Sequence, residues 1–230
     1  MQRGGSSLPN FTNFWAHCYH HEQNKAEPAE PVLDNAELAR RVIAGGADVV
    51  QLRDKSLRCG DLLAAACEIR EITREAGALF IVNDRLDIAL ASGADGVHLG
   101  QDDLPVRHAK RIAPPGFIIG VSVGCIADAV AAESAGAGYV ALSPTFPTTS
   151  KEDAGPCHGI TVLRGICSSV SLPVIAIGGI SPRNVPEVIA AGADGVAVIS
   201  SVVGQEDITG AARKMKAIIR NAKAGNDHAG

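Results

Sequence analysis

At 230 residues the chain suits one β/α barrel, a fold that usually takes roughly 200 to 250 residues, better than two small domains. Hydrophobic residues make up 46% and charged residues 20%, enough core-forming side chains to exclude disorder throughout. Aromatics at 3% suit a base-stacking surface poorly, and a formal net charge of −4 gives no electrostatic reason to expect nucleic acid or an anionic membrane as a partner.

Residues 1–30 read as an N-terminal arm. Within it Phe11 to Tyr19 is a poor candidate for a first strand, and His17, His20 and His21 fit an exposed arm better than a metal site. The stretch from Glu22 to Pro31 is polar and contains proline, as a loop would. From residue 31 to 222 a helix-ending Gly-Ala element runs straight into a short apolar strand four times: Gly46-Ala47-Asp48-Val49-Val50, Gly93-Ala94-Asp95-Gly96-Val97, Gly136-Ala137-Gly138-Tyr139-Val140 and Gly192-Ala193-Asp194-Gly195-Val196. Glycine suits the left-handed position after a helix, and Asp can turn the chain.

Further apolar runs lie between these joints: Leu79 to Val82, Phe117 to Val121 and Pro173 to Ile177. Leu62 to Ala76, Ile126 to Ala135 and Val185 to Ala191 show helical periodicity. Buried strands alternating with helices predict a parallel sheet, and eight such units in this length predict a closed (β/α)8 TIM barrel. A last helix from about Thr209 to Ala222 closes it, and residues 223–230 read as a flexible tail. The rival, an open doubly wound sheet, lacks its usual G-x-G-x-x-G turn.

Polar residues cluster just after the predicted strands, at the end where parallel barrels build active sites. After the second strand, alternation sends Gln51, Arg53 and Lys55 to one side, an amide and two cations suited to phosphate. The plainer alternative is a solvated strand end with salt bridges to Asp54 or Glu68. After the third strand stand Asn83 and Asp84, and after the fourth Asp102 and Asp103. Adjacent strand ends lie within side-chain reach, so Asp84 can meet Asp103 or Asp102 and share a Mg²⁺ with a diphosphate. Asp102 and Asp103 also suit a helix N-cap before Leu104-Pro105.

After the sixth strand, Ser143 to Lys151 brings hydroxyls and a lysine on a loop stiffened by Phe146 and two prolines. After the seventh, Gly178-Gly179 precedes a helix start, and after the eighth come Ile199, Ser200 and Ser201; in such barrels these two loops commonly hold phosphate. His98, inside an apolar strand, reads as a hydrogen-bonded core residue.

Six cysteines (Cys18, Cys59, Cys67, Cys125, Cys157 and Cys167) show no C-x-x-C spacing, which predicts reduced thiols. No apolar run reaches the roughly 18 residues that span a bilayer, and the N-terminus lacks the order of a secretion signal, so the expectation is a cytoplasmic protein.

From about Leu38 to Ala217 the chain resembles the thiamine phosphate synthase (thiamine-phosphate pyrophosphorylase) family. The resemblance rests on these motifs in one order: Gln51-Leu52-Arg53-Asp54-Lys55, Val82-Asn83-Asp84, His98 to Asp103, Gly120-Val121-Ser122, Pro144 to Lys151, Ile177-Gly178-Gly179-Ile180 and Val198-Ile199-Ser200. It implies transfer of 4-amino-2-methylpyrimidin-5-ylmethyl from its diphosphate to the nitrogen of a thiazole phosphate. By that analogy Gln51, Arg53, Lys55, Asn83, Ser122 and Lys151 hold the pyrimidine diphosphate, with Arg53, Lys55, Ser122 and Lys151 as the catalytic set. Asp84 and Asp103 hold Mg²⁺, and Thr148, Ser150, Gly179, Ile199 and Ser200 hold the thiazole phosphate.

Two residues depart from the family pattern: Gly124 stands where a histidine is frequent, and Ser150 where a threonine is. The expected partners are small phosphorylated molecules, with homo-oligomerisation left open by the sequence. Two alternatives are carried: the related thiazole tautomerase, which generally lacks the acidic pair and uses a histidine after the fifth strand, and a non-catalytic phosphate-binding regulatory barrel.

Overall fold

Strand and helix alternate eight times through the computed structural model, which describes residues 14–18, 33–150 and 155–227. The strands are β1 (Phe14–Cys18), β2 (Val49–Leu52), β3 (Leu79–Asn83), β4 (Gly96–Leu99), β5 (Ile118–Val123), β6 (Tyr139–Leu142), β7 (Val174–Ile177) and β8 (Gly195–Val198). Each is followed by a helix: α1 (Asn35–Ala44), α2 (Cys59–Ala76), α3 (Leu86–Ala91), α4 (Val106–Ile112), α5 (Ile126–Ser134), α6 (Gly159–Ser169), α7 (Val185–Ala190) and α8 (Ile208–Asp227). All strands run parallel and the ring closes in chain order, β1 pairing with both β2 and β8. The expected TIM barrel is therefore the fold.

The candidate first strand within Phe11 to Tyr19 is realised, and the exposed reading of His17 is what needs correcting. Phe14–Cys18 is a barrel strand with every residue buried, and His17 is only 2% exposed. Its sequence looks like a poor strand because a barrel strand is covered on both faces and shows no polar alternation. Phe14, Ala16 and Cys18 face the helices, while Trp15 fills the interior with its ring 4.7 Å from that of Tyr139. His20 and His21 lie outside the described residues.

The chain end needs a second correction, since α8 continues to Asp227. Lys223 Nζ donates to the Asp194 carbonyl at 2.6 Å and Asn226 Nδ2 to that of Ile189 at 3.1 Å, which anchors the helix end to the barrel.

The four Gly-Ala joints form as their residues require. Gly46, Gly93, Gly136 and Gly192 all take positive φ, and the alanine N–H after each reaches back to a carbonyl of the preceding helix. The three joint aspartates do more than turn the chain. The carboxylates of Asp48, Asp95 and Asp194 accept the N–H of Phe14, Phe80 and Val174, the first or second residue of the neighbouring strand, at 2.9, 2.8 and 2.8 Å. Asp48 also pairs with Lys216, and Asp95 with Arg70. These latches stitch the amino-terminal rim of the barrel.

Apolar side chains form two shells. Inside the barrel lie Trp15, Val49, Ile81, Ile118, Tyr139, Ile175 and Ala197, and a larger cluster fills the space between strands and helices. The interior cluster plugs the lower barrel, so inward-facing residues one step further along each strand form the floor of the carboxyl-terminal mouth.

Candidate active site

Strand alternation decides which side chains reach that mouth. Val49 belongs to the interior cluster, so Gln51 and then Arg53 turn the same way; they are 2% and 5% exposed. The Gln51 Oε1 is buried with no hydrogen-bond partner among the described residues, a state that costs about 1–3 kcal/mol until a donor arrives. Lys55, past the strand end, is exposed.

Asp54 and Glu68 are engaged elsewhere. Asp54 accepts from Ser56 N–H and O–H, Leu57 N–H and Asn35 Nδ2, while Glu68 pairs with Arg40 at 3.1 Å. Burial works against the Asp54 carboxylate, yet those hydrogen bonds hold its pKa below the ordinary value.

Asn83 ends β3 and sits opposite His98 in the register. The next residue, Asp84, has φ of 60°, the only positive value among described non-glycine residues, and its N–H donates to the His98 carbonyl at 2.8 Å. Aspartate tolerates this left-handed conformation better than most residues, and strain of this kind concentrates where a side chain must be aimed. Its side chain lies beside that of Asp103. Burial first, then the proximity and charge of Asp103, push Asp84 up to about 6, against the lowering pull of Lys55 and Arg53. Asp84, Asp103, Lys55 and Arg53 are thus within electrostatic reach of one another.

The helix-cap alternative for Asp102 and Asp103 is not realised. Pro105 precedes α4 with no side-chain cap, and Asp103 instead accepts the Gly100 N–H at 2.7 Å, because the turn between β4 and α4 folds back on itself.

Across the mouth, the loops after β6, β7 and β8 line a narrow cleft. Thr148, Ser150, Gly179, Ile199 and Ser200 all line it, together with Pro144 and Gly178. Gly178 and Gly179 have φ of 90° and 65°. A Cβ on Gly178 would lie 2.5 Å from Pro144 Cβ, and one on Gly179 2.6 Å from the Pro147 carbonyl, so only glycine lets the two loops touch. Thr145 N–H and Phe146 N–H donate to the Ile177 and Gly178 carbonyls, and the Ser150 and Ser200 hydroxyls are 3.0 Å apart. Lys151 lies outside the described residues.

On β5, half-buried Ser122 faces inward between these two regions, with its Oγ 2.9 Å from His98 Nε2; His98 Nδ1 is 2.8 Å from the Tyr139 hydroxyl. His98 is the hydrogen-bonded core residue expected, but its partner is a candidate site residue. His158, which the sequence did not single out, brings an imidazole to the end of β5 from another element: a Cβ on Gly124 would lie 3.0 Å from its Cε1. Spatial proximity between a glycine and a histidine 34 positions apart leaves no local sequence signal.

Asp84 and Asp103 suit Mg²⁺ chemically. Two neighbouring carboxylates supply hard oxygen donors, and a bound cation would offset both the burial and the like charge that raise Asp84. Among the described residues no group of three or more His, Cys, Asp and Glu side chains gathers, so substrate oxygens and water would complete the coordination.

Residues 26–202 match the profile of the thiamine monophosphate synthase family. The chain belongs to that family. Among its relatives, the thiamine-phosphate synthase of Methanoculleus marisnigri is 65% identical over 190 residues, covering 83% of this chain and 90% of that one. The thiamine-phosphate synthase of Methanocella arvoryzae is 60% identical over 187 residues, covering 81% and 88%. The thiamine phosphate pyrophosphorylase of Pyrococcus furiosus superposes with a TM-score of 0.79 at 38% identity, covering 92% of this chain and 96% of that structure. The family's barrel is thus present with its first strand, the element hardest to see in the sequence.

Proposed function

We propose that this member of the thiamine monophosphate synthase family condenses 4-amino-2-methyl-5-(diphosphooxymethyl)pyrimidine with thiazole phosphate, giving thiamine phosphate and pyrophosphate. The observation that carries this reading is the division of one barrel mouth into two unlike halves. Cations and paired acids stand on β2 to β4, and a cleft of hydroxyls and bare backbone on β6 to β8. The first half matches a metal-bound diphosphate and the second a monophosphate.

In the reaction, the bond between the pyrimidine methylene and the diphosphate oxygen breaks, the electron pair leaving with pyrophosphate. The electron-rich aminopyrimidine stabilises the resulting cation, and the thiazole nitrogen supplies the pair for the new C–N bond. No protein nucleophile is required. Arg53 and Lys55, with Lys151 and Ser122, neutralise and hydrogen-bond the leaving oxygens, while Gln51 and Asn83 orient the ring. Asp84 and Asp103 would hold Mg²⁺, which supplies charge neutralisation for the departing diphosphate. Thr148, Ser150, Gly179, Ile199 and Ser200 fix the thiazole phosphate so that its nitrogen faces the methylene.

The acidic pair separates this reading from a tautomerase, and four charged residues at one rim are more than a phosphate-binding regulator requires. We also place the protein in the cytoplasm: Cys18, Cys59, Cys67, Cys125 and Cys157 are free thiols, and no helix among the described residues is long and apolar enough to cross a membrane.

The test is pyrophosphate release measured with each substrate alone and with both. Release that needs both supports transfer. Release from the pyrimidine diphosphate alone would mean hydrolysis, and none under any condition would refute the assignment.

A further inference from the structure

Three inward-facing side chains on consecutive strands form a polar chain above the apolar plug of the barrel. Tyr139 on β6, 1% exposed, places its hydroxyl 2.8 Å from His98 Nδ1; His98 on β4, 6% exposed, places Nε2 2.9 Å from Ser122 Oγ on β5. The Tyr139 ring is held from two sides, by Trp15 with centroids 4.7 Å apart and by the stacked His98 ring at 5.6 Å. Gly120 stands between them in register because any Cβ there would run into the Tyr139 ring. The sequence therefore reserves space for this phenol.

Hydrogen-bond polarity follows from the groups. Burial raises the Tyr139 pKa well above its ordinary value, so the phenol keeps its proton and has His98 Nδ1 within reach as an acceptor. A neutral imidazole accepting at Nδ1 carries its hydrogen on Nε2 and donates it to Ser122 Oγ. The serine proton is then excluded from His98 and is available on the open side of the residue. With the opposite polarity Ser122 would donate to His98 and present only lone pairs to the mouth, which an anionic leaving group repels.

We infer that Tyr139 and His98 are positioning residues that fix Ser122 as a hydrogen-bond donor to the diphosphate of the pyrimidine substrate. This rests on the reading under Proposed function and adds two residues to it. Neither touches substrate; both act through the Ser122 hydroxyl. The relay also gives His98 and Tyr139 a reason to be polar in a core position where apolar side chains would pack as well.

A double-mutant cycle in kcat/KM for pyrophosphate release tests it. Tyr139→Phe keeps the ring and its stacking and removes only the hydroxyl; it should lower kcat/KM about 10-fold, the scale of one lost hydrogen bond. In a Ser122→Ala background the same change should cause no further loss, because the group it positions is gone. His98→Asn, which keeps an amide near Nδ1 but falls short of Ser122, should behave alike and replaces Tyr139→Phe should that variant not fold. A loss as large in the Ser122→Ala background as in the parent would reveal a packing role and overturn the relay, as would a Tyr139→Phe enzyme with parental kcat/KM. A parent that releases no pyrophosphate with both substrates would instead overturn the function itself and the relay with it.

Discussion

The two rims of the barrel use the same side chain to opposite ends. At the amino-terminal rim the carboxylates of Asp48, Asp95 and Asp194 each accept a backbone N–H from the preceding strand, and Asp48 and Asp95 add a Lys or Arg partner. At the carboxyl-terminal rim Asp84 is set against another acid, on strained backbone, with its pKa pushed up to about 6. On β2, the buried Gln51 Oε1 has no partner among the described residues. One rim satisfies its carboxylates and holds the ring closed; the other sets two acids side by side and leaves a buried amide oxygen without a partner among the described residues.

Substitutions on either rim should therefore fail in different ways. The largest effect is expected for Asp84→Asn, which keeps a residue able to adopt φ near 60° while removing the charge. Its kcat should fall by about 100-fold or more, in line with losing a preorganised charge at a reacting centre, with its circular dichroism spectrum unchanged.

Gly179→Ala comes next. It forces a side chain into positive φ and against the Pro147 carbonyl, and should cost about 1–3 kcal/mol of stability in urea melts and raise KM for the thiazole phosphate. Asp95→Ala should cost a similar or smaller amount, about 1–3 kcal/mol, by stranding the Phe80 N–H and the Arg70 guanidinium, yet leave kcat within about twofold of the parent. A rate loss there equal to that of Asp84→Asn would erase the distinction between the rims.

The smallest effect is a pH dependence of melting in chelator. Asp84 goes from an ordinary value of 3.8 to about 6 on folding, so the native state holds this proton more tightly than the unfolded chain. Its contribution to stability is complete below about pH 4 and is lost as pH rises through about 6. Asp84→Asn should then melt higher than the parent at neutral pH and converge with it near pH 4. Since the group is partly solvated, the gain should be on the order of 2–4 °C, the equivalent of about 1 kcal/mol in a domain of this size.

Most of the barrel was legible because its joints are local. Gly-Ala followed by an apolar run identifies a helix end and a strand start within five residues, and all four such glycines take the left-handed conformation. Phe14–Cys18 was obscure for the converse reason: it becomes a strand only by pairing with β2 and with β8, the latter 182 residues away at Phe14 and Val196. The acidic pair was legible because strand order puts Asp84 and Asp103 on neighbouring strand ends, although which of Asp102 and Asp103 would serve depended on a turn.

Long-range partnerships carried no such signal. The latches from Asp48 and Asp95, the imidazole of His158 beside Gly124, and the Tyr139-His98-Ser122 chain each join residues that become neighbours only once separate strands have paired.

Binding of inorganic pyrophosphate, followed by titration calorimetry with and without Mg²⁺, probes the imbalance at the mouth most directly. The parent should bind it only when Mg²⁺ is present, and the Asp84→Asn/Asp103→Asn double variant should lose that dependence along with most of the affinity. Equal binding by parent and variant, unaffected by chelator, would contradict the proposal that these acids and the nearby cations hold a metal-bound leaving group.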